Sequence, residues 1–297
     1  MVPLGTFFLY IVKQSMVKVA IQGGRASFHE IAARNYFKED VEMVECGSFP
    51  ILCETLKKED AEYAVMAIEN SIAGSILPNY ALLQKFNFLI IGEIYLRIEQ
   101  NLMALPGSTI DKIEKARSHY MALLQCQDFL QKHPHIKVEE YHDTADSARD
   151  IRLKEEKNVA AIAGRYAAEL YNLDILAESI ETEKKNYTRF LILSRDKRYK
   201  TENKNKATIS FHLPNRVGAL AEVLRVIVEN NINLTKIQSL PIIGRPNEYT
   251  FYVDCEFFNY EDFKKSIEIK HIVENLRILG EYRKGETIHD YSKSRQA

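Results

Sequence analysis

Val17-Lys18-Val19-Ala20-Ile21-Gln22-Gly23-Gly24-Arg25-Ala26-Ser27-Phe28 decides the fold class of this chain. Its apolar opening predicts a strand over 17–21, its glycines a tight turn, and the residues from 28 to 37 a helix. Such a turn has two readings. Either the glycines let backbone amides approach an anion beside a positive helix N-terminus, or they only connect strand to helix. It is not a phosphate loop, because it has neither G-x-G-x-x-G spacing nor a Walker lysine.

The unit recurs along the chain. Strands are predicted at 18–22, 41–46, 63–68, 88–95, 98–104, 115–118, 137–141, 159–163 and 188–194. Helices are predicted at 28–37, 50–58, 72–83, 120–131, 144–156 and 165–171, with Asp143 as an N-cap. This alternation is that of an α/β domain, whose ligands bind at the carboxyl ends of the strands. Two further loops stand at such ends: Glu69-Asn70-Ser71-Ile72-Ala73-Gly74-Ser75, and Ser118-His119 leading towards Gln125-Cys126. Asn70, Ser71 and Ser118 read there as helix caps or as ligands, and His119 alone as a surface or cap-adjacent histidine.

Residues 195–205 are charged and without apolar periodicity, as in a linker. Beyond them the predicted order is strand 207–213, helix 218–230, strand 232–239, strand 249–255, helix 261–267 and strand 276–282. This is the ferredoxin-like βαββαβ order. Leu220, Val223, Leu224, Ile227 and Val228 share one helix face and predict its burial. Residues from 285 onward are polar and read as a frayed tail.

With 297 residues, 46% hydrophobic and 27% charged, the chain has the composition of a globular protein of two domains. A net charge of −1 with scattered basic residues excludes a nucleic-acid footprint. Cys46, Cys53, Cys126 and Cys255 have no paired spacing, so they read as reduced core thiols in a cytoplasmic protein. Residues 1–15 hold an apolar run too short to span a membrane and without the charged start of a secretory signal. They read as an extension before a second start at Met16. No metal-ligand spacing, nucleophile elbow or cofactor motif occurs, so the expected chemistry is metal-free and cofactor-free.

The chemistry concentrates in Asn186-Tyr187-Thr188-Arg189-Phe190. There a hydroxyl that can give a proton to a leaving oxygen stands next to a guanidinium that can hold a carboxylate with two hydrogen bonds. The alternative for Arg189 is a salt bridge in the cleft wall.

Taken together, several motifs resemble the prephenate dehydratase family with its C-terminal ACT domain. They are residues 23–28, Ile68-Glu69-Asn70-Ser71 with Gly74, Ile91-Gly92-Glu93, Ser118-His119 with Gln125-Cys126, Asp143-Thr144-Ala145, residues 160–163 and 168–171, and Asn186 with Thr188-Arg189-Phe190. In the C-terminal part they are Gly218-Ala219-Leu220 and residues 233–241. The resemblance implies a two-lobed catalytic domain like type II periplasmic binding proteins, at 16–195. Lobe 1 would be about 17–96 and 178–195, and lobe 2 about 97–177. A linker at 196–205, an ACT domain at 206–284 and a polar tail at 285–297 follow. The implied reaction is decarboxylation and dehydration of prephenate to phenylpyruvate in phenylalanine synthesis, with Thr188 as catalytic proton donor. Implied substrate contacts are Ser27, Glu69, Asn70, Ser71, Ser118, Asn186, Arg189 and Phe190. Implied phenylalanine contacts are Asn215, Gly218, Ala219, Leu220, Gln238, Ser239, Leu240 and Pro241, in a homodimer or dimer-based tetramer. The chain departs from the family at Gly24 for proline, Ala26 for glycine, Ser27 for threonine and Gln100 for histidine. Gln238 and Leu240 stand for the glutamate and arginine of Glu-Ser-Arg-Pro, which weakens the expectation of phenylalanine control. Three rival readings are an arogenate dehydratase, a non-catalytic solute-binding protein, and an amino-acid-sensing protein whose catalytic domain has decayed.

Overall fold

The structure, a computed structural model, describes residues 16–38, 40–242 and 244–289; the extension 1–15 lies outside the described residues. Three sheets organise the chain. The first runs in the order Thr287–Ile288, Leu89–Arg97, Tyr187–Ser194, Tyr63–Asn70, Val17–Gln22, Val41–Cys46, with Gly74–Ser75 paired to the end of Tyr63–Asn70. Val17–Gln22 is parallel to both of its neighbours, whereas Tyr187–Ser194 is antiparallel to both of its own. The second sheet runs Asp174–Ala177, Asn101–Ala104, Val159–Ala163, Lys115–His119, Lys137–Tyr141. The third is antiparallel: Asn233–Pro241, Tyr249–Glu256, Lys206–Leu213, Glu274–Tyr282, with Ala219–Glu229 packed on it through Val223 and Ile227. Residues 195–205 form neither helix nor strand.

The chain passes between the first two sheets twice, after Arg97 and before Tyr187. These passages are tied together, Ile98 donating its backbone N–H to the carbonyl of Asn186 (2.8 Å) and Ile180 to that of Gln100 (2.8 Å). The result is a two-lobed α/β unit followed by an antiparallel α/β unit.

Local chemistry sets the boundaries. Ser27 caps Phe28–Phe37, its Oγ accepting from Glu30 N at 3.3 Å, while Glu30 Oε2 reaches back to Ala26 N at 2.6 Å. Ala26 holds a left-handed φ of 65°, which explains why glycine suits this position better. The helix expected at 72–83 runs instead over Leu77–Phe86. Asn70 Oδ1 accepts from Ile72 N and Ala73 N and makes a turn of those residues, and Pro78 suits the first turn of a helix. The helix expected at 120–131 breaks at Cys126 into Tyr120–Gln125 and Gln127–Lys132. The tail from 285 is also corrected: Thr287–Ile288 adds a parallel strand to Leu89–Arg97, with Tyr95 N donating to Glu286 O at 3.0 Å.

The third sheet docks directly on the first. A Cβ at Gly280 would stand 2.1 Å from the carbonyl oxygen of Ile90, so only glycine allows this approach of backbone to backbone. No helix among the described residues is long and apolar enough to cross a membrane.

Candidate active site

Strand order decides what meets at the cleft. Gln22 and Asn70 close parallel strands, Gly47 follows a third, and Thr188 opens an antiparallel one, so all lie along one edge of the first sheet. The second sheet faces this edge with His119, Gln125 and Asp143. Between them is a cavity of about 530 Å³ lined also by Ser27, His29, Ser48, Phe49, Gln100 and Phe190. The N-termini of four helices open on it: Phe28–Phe37, Phe49–Lys57, Tyr120–Gln125 and Thr144–Lys154. Among its lining residues there is no lysine or arginine. An anion in this cleft would therefore be held by backbone amides, helix ends and neutral polar side chains.

At one end an amide relay fixes the direction of every hydrogen bond. Asn70 Oδ1 is occupied by two backbone N–H groups, so its Nδ2 faces Thr188 Oγ1 (3.1 Å) and Asn186 Oδ1 (2.7 Å). Asn186 in turn donates from Nδ2 to Gln125 Oε1 at 3.0 Å. Thr188 thus accepts from Asn70 and keeps its own proton for a partner in the cavity. Gln125 likewise has its Nε2 donors left to offer.

His29 is buried, with Nε2 accepting from Ala67 N at 3.4 Å and its ring edge-on to Phe190 at 4.9 Å. Burial lowers its pKa to about 3, so it is a neutral wall of the cleft at ordinary pH. Burial pushes the Asp143 carboxyl up; its Oδ1 caps Thr144–Lys154 by accepting from Ala145 N (2.8 Å) and Asp146 N (3.0 Å).

Of the expected substrate contacts, Ser27, Asn70, Thr188 and Phe190 line the cavity, and Asn186 supports it from behind. Four others do not. Arg189 points to the opposite face, because side chains alternate along a strand and Thr188 takes the cleft side. Its guanidinium donates to Glu93 Oε2 (2.7 Å), to Asp254 Oδ2 and to Tyr282 Oη (3.1 Å), so it is a buried salt bridge and not a carboxylate clamp. Glu69, one residue from Asn70, turns away for the same reason and pairs with Lys236 of the third sheet at 2.6 Å. Ser71 is exposed, donating to Lys185 O and accepting from Tyr187 N. Ser118 is fully buried and donates to Ile162 O at 2.6 Å.

Sequence reasoning missed Gln125, His29 and Ser48. Gln125 lay inside a motif, but nothing in its spacing shows that it meets Asn186 across the crossover. The expected effector residues fall in two places. Asn215 and Gly218 are exposed in the turn before Ala219–Glu229, and Gln238 to Pro241 lie on the outermost strand of the third sheet. Among the described residues no cluster of three or more His, Cys, Asp or Glu could hold a metal ion.

Residues 19–198 match the prephenate dehydratase family and residues 207–267 the ACT domain family. The chain is 36% identical over 288 residues to Arogenate dehydratase 5, chloroplastic, of Arabidopsis thaliana, covering 90% of this chain and 68% of that protein. It is 31% identical over 271 residues to the Bifunctional chorismate mutase/prephenate dehydratase of Enterobacter agglomerans, covering 89% of this chain and 70% of that protein. Its fold matches, with a TM-score of 0.80 and 26% identity over 90% of both chains, the crystal structure of Prephenate dehydratase in complex with L-Phe from Arthrobacter aurescens. With a cleft of this geometry and a match across most of its length, the chain belongs to the prephenate dehydratase family and carries a C-terminal ACT domain.

Proposed function

We propose that this protein, acting in the cytoplasm and without a cofactor, converts prephenate to phenylpyruvate in L-phenylalanine synthesis. The observation that carries the reading is the Thr188 hydroxyl. It lines the cleft, accepts from Asn70 and so presents its proton to whatever occupies the cavity. In the reaction a ring carboxylate leaves as carbon dioxide and its electron pair enters the ring, which becomes aromatic as the C–O bond at the far end breaks. The departing hydroxide takes the Thr188 proton and leaves as water, and the threonine recovers a proton from solvent. No base has to remove a carbon-bound proton. The protein's tasks are to hold two carboxylates and to meet one leaving oxygen. The four helix N-termini serve the first task and the Asn70–Thr188 pair the second.

Phenylalanine is the proposed effector, bound at Asn215, Gly218, Ala219, Leu220 and residues 238–241 across a homodimer or dimer-based tetramer. Among the described residues the outermost strand Asn233–Pro241 has an unpaired edge on which such pairing can occur. Incubation of the purified protein with prephenate, following phenylpyruvate by its absorbance in alkali, tests the activity; no product would refute it. Sedimentation and inhibition assays with phenylalanine test the effector reading.

A further inference from the structure

Four cations meet at the seam between the first lobe, the 195–205 stretch and the third sheet, around two consecutive residues. Lys57 Nζ and Lys85 Nζ stand 5.9 and 5.2 Å from the centre of the Phe86 ring. Lys197 Nζ (3.4 Å) and Arg277 Nη2 both donate to one oxygen, Oδ1 of Asn87. Among the described residues none of the four has a carboxylate within ion-pairing distance. Glu59 and Asp196, close to Lys57 and Lys197 in sequence, are already taken by Arg195 and Arg198. Lys57, Lys85 and Lys197 are exposed and Arg277 is half-buried, so the cluster opens to solvent.

Helix ends account for two of these cations. Lys57 ends Phe49–Lys57 and Lys85 lies in the last turn of Leu77–Phe86, where a positive charge compensates the carbonyl end of a helix. Lys197 and Arg277 need another reason. They come from the 195–205 stretch and from Glu274–Tyr282, and they converge on a single neutral amide oxygen, which accepts from both but neutralises neither. Partial burial and the Arg277 charge lower the Lys197 pKa, as expected where like charges face each other with no acid between them. Such a pair repels until an anion bridges it.

We propose that Lys57, Lys85, Lys197 and Arg277 bind a small polyphosphate, the chain of two or three phosphoryl groups that inorganic triphosphate and nucleoside triphosphates share. Arg277 offers a fork and the lysines offer point charges, two kinds of donor that suit phosphoryl oxygens. Two cation pairs, one on each of two successive residues, call for more than one phosphoryl group. Four side chains on a chain of net charge −1 are too few for a nucleic acid. The bound anion joins three parts of the protein: the first lobe through Lys57 and Lys85, the 195–205 stretch through Lys197, and the third sheet through Arg277. It thereby holds the third sheet against the lobe. Neither the cleft nor Thr188 takes part, so the inference goes beyond the dehydratase reading and stands apart from it.

Titration calorimetry on the full chain, in magnesium-free buffer without phosphate, tests this with inorganic triphosphate, ATP and inorganic phosphate as probes. The proteins are wild type, the double variant Lys197→Gln with Arg277→Gln, and the control Lys112→Gln, an exposed lysine of the second lobe without an ion pair among the described residues. Wild type should bind one triphosphate per chain, and inorganic phosphate more weakly. ATP binding tighter than triphosphate identifies a nucleotide as the source, and equal or weaker binding the inorganic chain. Each lost cation should weaken triphosphate binding about tenfold, hence about a hundredfold in the double variant, with the control within about twofold of wild type. Without anion the double variant should unfold at a temperature no lower than wild type, because its repulsion is gone; triphosphate should raise the midpoint of wild type and control but not of the double variant. No triphosphate binding by wild type, an equal loss in the control, or a double variant that binds as wild type does would overturn the proposal. So would a double variant that melts well below wild type in the absence of anion, which would show two cations kept only to cap Leu77–Phe86.

Discussion

Removing the Asp254 charge should strongly destabilise this protein at the junction of the first and third sheets. Asp254 is 4% exposed; its Oδ2 accepts from Arg189 Nη1 and its Oδ1 from Thr208 Oγ1 at 2.6 Å. Around it, Lys206 Nζ stands 3.0 Å from Glu93 Oε1 and 3.4 Å from the partly buried Glu256 Oε1, and Arg189 also bonds Glu93, so two cations face two buried acids and a third at the margin. Asp254→Asn takes from Arg189 one of its two buried acids and breaks that pair inside protein, which costs about 3–5 kcal/mol. That is a third or more of the 5–15 kcal/mol that holds a typical domain folded. Glu69–Lys236, which joins the same two sheets but is 35% exposed on the acid side, is the internal control. Glu69→Gln should cost no more than about 1 kcal/mol.

The pH dependence carries a definite sign. Burial alone would raise the Asp254 pKa, but the Arg189 guanidinium and its hydrogen bond hold it below the ordinary value. A carboxylate depressed in the folded state contributes its stability above the unfolded value of about 3.9 and loses it as pH falls through the folded value. The gap between wild type and Asp254→Asn should therefore be constant from pH 7 to about 5 and close only in stronger acid. Urea unfolding followed by circular dichroism at several pH values measures it. A second variant, Arg189→Met with Asp254→Asn, should recover part of the loss by removing the under-compensated charge. A neutral-pH loss below about 1 kcal/mol for Asp254→Asn would refute the view that this cluster is desolvated and mutually dependent.

Thr188→Ala should lower kcat for prephenate about 10²- to 10⁴-fold without moving the unfolding midpoint, whereas Thr188→Ser keeps the hydroxyl and most of the rate. Asn70→Ala removes the donor that orients Thr188 and two turn-forming acceptances, and should lower kcat about five- to a hundredfold, read in steady-state kinetics beside thermal melting. His29 remains neutral down to about pH 3, whereas an unfolded histidine takes a proton near 6.5. Stability should thus fall as pH drops below about 6.5, by about 1.4 kcal/mol per pH unit for this group, and His29→Gln should remove that slope in unfolding titrations.

The α/β architecture, the lobes and the C-terminal βαββαβ unit were legible because apolar periodicity and turn residues are local signals. The cleft was legible in part. Ser27, Asn70 and Thr188 stand at strand ends, where ligand contact is expected from topology alone. Arg189 was placed beside Thr188 by adjacency in sequence, but the period of two along a strand puts neighbours on opposite faces. The same rule separates Glu69 from Asn70. What gave Arg189 its true partners, Asp254 and Tyr282, lies in another sheet, and no local pattern announces a contact of that sequence separation. Thr287–Ile288 was hidden for a similar reason: two residues in polar surroundings have no strand signature until an edge is there to receive them.

The contact of Gly280 with Ile90 has a mechanical consequence. Where two sheets meet through side chains, small displacements are absorbed by rotamer changes; here main chain rests on main chain, with nothing compressible between. Leu89–Arg97, the strand pressed on by Gly280, is hydrogen-bonded to Tyr187–Ser194, with Leu96 opposite Thr188. Any tilt of the ACT sheet is therefore delivered without slack to the backbone beside Thr188, the proposed proton donor. An effector that shifts this sheet by even a few tenths of an ångström acts on the geometry of catalysis, with no need for a mobile loop to carry the message.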